Sequence, residues 1–159
     1  MKKLNLGSGS KSNNGWIGVD IKEPADIVFD LREKRWLWED DSIDAIASTH
    51  FFQELRWTEV MSSFRECHRI LKPGGEMDVC VPDFQKMVDA YIKKSKNLFI
   101  AGQISFNAQW MWQLQWKGSY QSLYNEALLR EKLEEVGFKT ELVENANRDK
   151  ESVTIRATK

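Results

Sequence analysis

Lys2-Lys3-Leu4-Asn5-Leu6-Gly7-Ser8-Gly9-Ser10-Lys11-Ser12-Asn13-Asn14-Gly15-Trp16-Ile17-Gly18-Val19-Asp20 is the stretch whose reading decides the fold. A short apolar run, Leu4 to Leu6, breaks into a Gly-Ser-Gly turn, and a second run, Trp16 to Val19, ends on an acid. Strand, glycine turn, strand and terminal carboxylate is how an open parallel sheet binds a nucleotide-like ligand. The glycines let backbone approach the ligand, and the acid accepts hydrogen bonds from ribose hydroxyls. Gly7-x-Gly9 by itself also fits a plain turn after an edge strand. Spacing adds information: Asp20 comes thirteen residues after Gly7, whereas a dinucleotide fingerprint places its acid about 20 residues on. The eight residues from Ser8 to Gly15 fall short of the roughly twelve that a parallel crossover uses. Ser10 to Gly15 is also too rich in Ser, Asn and Gly for a good helix. The site therefore lacks the helix N-terminus that would hold a pyrophosphate, which argues against NAD or FAD and suits a ligand without phosphates.

The 159 residues predict one domain, 1–159, with enough chain for a proper core. Apolar residues at 42% and charged residues at 30% read as soluble and globular. A net charge of −1 gives no global field for nucleic acid, so no nucleic-acid partner is favoured. Two cysteines, Cys67 and Cys80, match neither a disulfide framework nor a zinc pattern, so a reduced, cytoplasmic compartment is expected. No apolar run has the length of a signal peptide or a membrane span, so no membrane partner is expected.

Residues 25–31 read as a short buried strand ending at Asp30, on the edge where Asp20 also sits; a turn or helix cap is the alternative role for Asp30. Residues 32–41 read as a loop that tucks in Trp36 and Trp38, and residues 42–48 as the next strand, delivering Ser48, Thr49 and His50 to the crevice edge. A helix is predicted over 57–71, with Val60, Phe64, Cys67 and Leu71 on its apolar face, Thr58 as cap, and Lys72-Pro73-Gly74-Gly75 as its stop. Residues 76–81 form a strand, and Asp83 caps a helix from 84 to about 94. Residues 95–120 are the least readable; Trp110, Trp112 and Trp116 suit either a helix packed on the sheet or a lid whose aromatic faces contact an acceptor. Residues 125–136 form an amphipathic helix stopped by Gly137, and strands over 138–143 and 152–157 form an antiparallel hairpin.

This order of elements, with Leu4-Asn5-Leu6-Gly7-Ser8-Gly9, Val19-Asp20, Leu71-Lys72-Pro73-Gly74-Gly75, Val81-Pro82-Asp83-Phe84 and Leu133-Glu134-Glu135-Val136-Gly137-Phe138, resembles the class I S-adenosylmethionine-dependent methyltransferases. Most similar are small predicted methyltransferases whose glycine loop runs almost directly into a Gly-Trp-Ile-Asn-Val-Asp-like strand, here Gly15 to Asp20. The resemblance implies an α/β, Rossmann-like open sheet of seven strands in the order 3-2-1-4-5-7-6. The sheet would be mostly parallel, with an antiparallel C-terminal strand and helices on both faces. The implied cofactor is S-adenosylmethionine. Gly7, Ser8 and Gly9 would line its methionine portion, Asp20 its ribose, and Asp30 with Leu31 its adenine. Asn5 and Ile21 flank the glycine loop and the acid and are counted with them, and Ser48, Thr49, His50 and Phe51 would face the sulfonium and the acceptor. The family often shows Ser-His-x-x-Glu-His after strand 4, where this chain has Thr49-His50-Phe51-Phe52-Gln53-Glu54.

Methyl transfer from a sulfonium is an in-line displacement in which positioning does much of the work. An oxygen or nitrogen acceptor also calls for a base near neutral pH, and His50 is the first candidate, with Asp83 second. The alternative roles are a strand-end hydrogen bond for His50 and a helix cap for Asp83. No metal ligand set is expected from two His and two Cys. The expected function is methyl transfer to a small-molecule or saccharide-type acceptor, in a chain that forms a homodimer if its tryptophans are exposed. An inactive cofactor-binding module acting through protein contacts is the alternative.

Overall fold

A computed structural model describes residues 1–10, 15–95, 120–144 and 151–159. The strands are β1 (Lys3–Leu6), β2 (Trp16–Asp20), β3 (Ile27–Val28), β4 (Ile43–Thr49), β5 (Leu71–Pro82), β6 (Lys139–Leu142) and β7 (Ser152–Thr158). The helices are α1 (Trp57–Ile70), α2 (Phe84–Ser95) and α3 (Glu126–Val136), with a 3-10 turn at Phe52–Glu54. One sheet holds all seven strands in the order β3-β2-β1-β4-β5-β7-β6. β7 runs antiparallel to both its neighbours and the other pairings are parallel. The Rossmann-like sheet implied by the resemblance is thus present, down to its single reversed strand. The tryptophan-rich residues 107–116 lie outside the described residues.

Side-chain alternation divides the sheet. Leu4, Ile46, Met77 and Ala157 share one ladder row, and Leu6, Ser48, Val79 and Ile155 share the next. All eight are buried, and the core they build includes Val60, Phe64 and Cys67 of α1 and Leu129 and Leu133 of α3. The rows between them point the other way: Lys3, Ala45, Glu76 and Thr158, then Asn5, Ala47, Asp78, Arg156 and Glu141. Arg156 grips Asp78 through two hydrogen bonds of 2.8 and 3.0 Å and lies 3.6 Å from Glu76 and 3.9 Å from Glu141. Period-two alternation thus separates an apolar face from one where polar side chains such as Asp78 and Arg156 pair with each other.

The loop between β3 and β4 is held to α1 by a buried ion pair. Glu66 accepts the Trp36 N–H at 2.7 Å and the Arg69 Nε–H at 2.8 Å, while Arg69 donates to the Trp38 carbonyl at 2.8 Å. Trp36 and Trp38 are buried, as expected, and stack edge-on at 6.2 Å. Three local expectations change. The helix expected over 57–71 ends at Ile70, and Leu71 to Gly75, expected as its last apolar residue and its stop, open β5 instead. The strand expected over 25–31 is two residues long, because Asp26 turns back to accept the Gly18 N–H at 2.8 Å and Phe29 packs on Trp38. Its Val28 is half exposed, as suits an edge strand. The α1 N-cap is Arg56 and not Thr58: Glu59 reaches back to the Arg56 N–H at 2.8 Å, the reciprocal half of a capping box. Asn125 caps α3 by accepting the Leu128 N–H at 2.8 Å, and Gly137 ends it at φ +111°.

Leu133 is fully buried and Leu37 is 64% exposed. Leu133→Ala is expected to cost about 2–5 kcal/mol in urea denaturation, and Leu37→Ala about 0.5 kcal/mol or less. Burial raises the Glu66 carboxyl, but Arg69 and the Trp36 N–H outweigh it and leave it below its usual range. A depressed carboxyl adds stability above its unfolded pKa and loses it as pH falls through the folded value. Glu66→Gln is therefore expected to destabilise by about 2 kcal/mol at pH 7, with the deficit shrinking in acid below about pH 4.

Candidate active site

The parallel strands end at one edge, where the first glycine loop folds back on β2. The N–H groups of Gly7 and Ser8 both donate to the Val19 carbonyl, at 2.9 and 3.3 Å. Gly9 N–H donates to Oδ2 of Asp20 at 2.9 Å, and Oδ1 accepts from Lys22 N–H at 3.2 Å. Asp20 thus ties the loop to the strand while keeping lone pairs on both oxygens. Gly7 and Gly9 sit at φ +65° and +64°, a region that L side chains seldom adopt. A Cβ on Gly7 would lie 2.5 Å from the Phe51 Cβ, whereas one on Gly9 would meet nothing within 4 Å among the described residues. The loop therefore has one side closed by Phe51 and one open side. Ser8 Oγ donates to the Ser10 carbonyl at 2.7 Å.

β4 supplies the neighbouring wall. Ser48 stands opposite Leu6, one residue before the loop; it is 1% exposed and, among the described residues, its Oγ has no hydrogen-bond partner. Thr49 is exposed. His50 adopts φ +55°, its N–H donates to the Cys80 carbonyl at 2.9 Å, and its Nε2 lies 2.9 Å from Ser152 Oγ. Asp83 is 3% exposed and its Oδ1 accepts the N–H groups of Gln85 and Lys86 at 3.0 and 3.2 Å, which caps α2. Lys86 Nζ lies 3.0 Å from the Ser152 carbonyl and 3.7 Å from Asp83 Oδ2.

The sequence-derived residues divide accordingly. Gly7, Ser8, Gly9 and Asp20 form one hydrogen-bonded loop, Asn5 lies in β1 just before it, and Ile21 follows Asp20 at 48% exposure. Asp30 is held by Arg32 through Nε at 2.8 Å and Nη2 at 2.7 Å, and this hydrogen bonding keeps its carboxyl below the usual range. Leu31 is in the core, and its carbonyl accepts from Trp36 Nε1 at 3.2 Å and Ser63 Oγ at 3.1 Å. Sequence reasoning passed over Ser152 and Lys86, which no local motif marks. It also assigned no role to Glu54, whose carboxyl is pushed up first by burial and then by the nearby Asp20 charge.

The open space beside Gly9, the two-sided carboxylate of Asp20 and the orphaned buried hydroxyl of Ser48 fit a cofactor that carries hydroxyls and a cation and lacks phosphates. Residues 17–78 match the model of a family described as a methyltransferase domain. No curated protein matches the sequence. Among solved structures, the chain resembles a SAM-dependent methyltransferase from Archaeoglobus fulgidus at 16% identity and TM-score 0.65, over 99% of this chain and 86% of that one. A methyltransferase from Mesorhizobium loti gives 15% identity and TM-score 0.65, over 99% and 90%. A complex between the Haloferax volcanii Trm112 methyltransferase activator and a methyltransferase gives 16% and 0.62, over 99% and 81%.

The two loop glycines separate strain from collision. Gly9→Ala is expected to cost about 1 kcal/mol, from φ alone. Gly7→Ala adds the clash with Phe51 and is expected to lower the melting temperature further. Equal thermal shifts in the two variants would show that Phe51 does not close the loop. Residues 17–78 thus match a methyltransferase-domain model, and the whole described sheet shares its fold with solved methyltransferases.

Proposed function

We propose that the chain transfers a methyl group to a small-molecule or saccharide-type acceptor at the edge formed by β1, β4 and β5. The observation that supports this reading is the packing of Phe51 on Gly7, which joins the end of β4 to the glycine loop. Bound S-adenosylmethionine supplies an activated methyl group on a sulfonium. Gly7, Ser8, Gly9 and Asp20, with Asn5 and Ile21, hold it; Ser48 and Thr49 line the wall beside it; Asp30 and Leu31 flank the far end. His50 accepts the proton that an O–H or N–H acceptor sheds, and Asp83 acts as the second acid–base group and anchor of the α2 entrance. Phe84, 41% exposed beside Asp83, offers an apolar face to a ring-shaped acceptor. The net charge of −1 fits a small acceptor better than nucleic acid.

Calorimetric titration with S-adenosylhomocysteine is the direct test, with NAD as control. Saturable binding by the wild type, weakened at least tenfold in Asp20→Ala, is expected; binding of neither ligand would remove the cofactor reading. With acceptor panels, His50→Asn and Asp83→Asn are the informative variants. Asn tolerates a left-handed backbone and also caps helices, so each change removes chemistry while sparing the local fold. Methyl transfer is expected to fall about 100-fold or more in His50→Asn. Binding without any transfer would favour an inactive module that works through protein contacts.

A further inference from the structure

A right-handed crossover lays its helix on one face of the sheet or the other, according to the direction in which the chain steps. The step from β4 to β5 lays α1 on the core face, and α3 packs there too. The steps from β1 to β2 and from β2 to β3 run the opposite way. They take nine residues (7–15) and six (21–26), too few for a crossover helix. The face opposite α1 and α3 therefore gains no helix from either step. Its strands set Trp16, Lys3, Ala45 and Glu76 in one row, with Ala47, Asp78 and Arg156 in the next. The side chains of Glu76 and Asp78 remain 53% and 40% exposed, and that of Glu141 67%.

Charge divides this face along β4, the central strand, where Ala45 and Ala47 leave it flat and uncharged. On the β1 side stands Lys3, its Nζ 5.4 Å from the centre of the Trp16 ring and, among the described residues, without a carboxylate partner. On the β5 side, Glu76, Asp78 and Glu141 all lean on Arg156, so that half carries more acid than the guanidinium neutralises. We propose that this face is the contact between two copies of the chain, related by a two-fold axis along β4. That axis sets β1 of one copy over β5 of the other, so that Lys3 meets the partner's Glu76 on both sides of the axis. Sheets packed face to face stand about 10 Å apart, a gap that a lysine and a glutamate span together. A two-fold across the strands would instead set each strand on its own copy, acid half against acid half, which charge disfavours. The axis along β4 also keeps the strands of both copies pointing the same way, so both glycine loops lie at one end of the dimer.

Sedimentation equilibrium of the full chain is the test. The wild type is expected to form a dimer with a Kd of about 100 μM or tighter. Lys3→Glu sets acid against acid and Glu76→Lys sets base against base, and each is expected to weaken the dimer about tenfold or more. The double variant Lys3→Glu/Glu76→Lys puts opposite charges back in reversed order and is expected to restore the dimer to within about threefold. Because it carries both changes, its recovery also shows that neither change unfolds the chain. A wild type that stays monomeric at about 1 mM overturns the inference, a result that needs no variant. A dimer whose Kd neither single variant moves overturns it as well. So does a folded double variant that fails to recover, because a face that sets each strand on its own copy gives that outcome. No ligand enters the measurement, so the result stands apart from the cofactor reading.

Discussion

Nine residues join the parallel strands β1 and β2, and that shortness governs both the ligand loop and the sheet around it. A parallel crossover of about twelve residues would ordinarily carry a helix, whose N-terminus would offer its free N–H groups to the ligand. Here the loop N–H groups are satisfied inside the protein instead. Gly7 and Ser8 give theirs to the Val19 carbonyl, and Gly9 gives its own to Asp20. Asp20 is thereby the loop's anchor. Such a loop can line an uncharged or cationic ligand, and among its described residues the N–H groups of Gly7, Ser8 and Gly9 are already taken. The same constraint is written into the sheet. The rows through Asn5, Asp78 and Arg156 are polar, whereas a fully wrapped parallel sheet would read as continuous Val, Ile and Leu.

Charge is placed where it does structural work at both ends of the molecule. Glu66 and Arg69 are neighbours on one helix turn, yet their value lies in binding the backbone of Trp36 and Trp38, which no helix holds. On the wetted face, Arg156 gathers Glu76, Asp78 and Glu141 from β5 and β6 on either side of it. At the edge where the parallel strands end, Asp83 is a cap, Lys86 a strap to β7, and His50 reaches across β5 to Ser152.

Much of the fold was legible because its signals are local. Val60, Phe64 and Cys67 recur at helical spacing and are all fully buried, and Asn125 and Gly137 mark the two ends of α3. The strand order was legible only through the resemblance, since no periodicity specifies which strands pair. Thr58 was the natural cap by residue type, but the reciprocal bond belongs to Glu59, which fixes the cap three residues earlier at Arg56. The Ile27-Val28-Phe29 run looked like a buried strand because apolar composition does not distinguish pairing from packing; Phe29 serves the Trp38 ring. The glycine loop and Asp20 were readable as a group, while Ser152 was not. It lies 102 residues from His50, and only the reversal of β7 makes them neighbours.

The strict alternation of β7 also acts as a proofreading device. Ser152 to Thr158 pair with Pro82 to Glu76 over seven positions, with Val153, Ile155 and Ala157 turned inward and Arg156 outward. A slip of one residue would drive the guanidinium into the hydrocarbon layer under α3 and turn Ile155 toward water, a mistake no side-chain adjustment could hide. The C-terminal strand therefore docks in one alignment, and that alignment sets how far its first hydroxyl reaches along the edge where the parallel strands end.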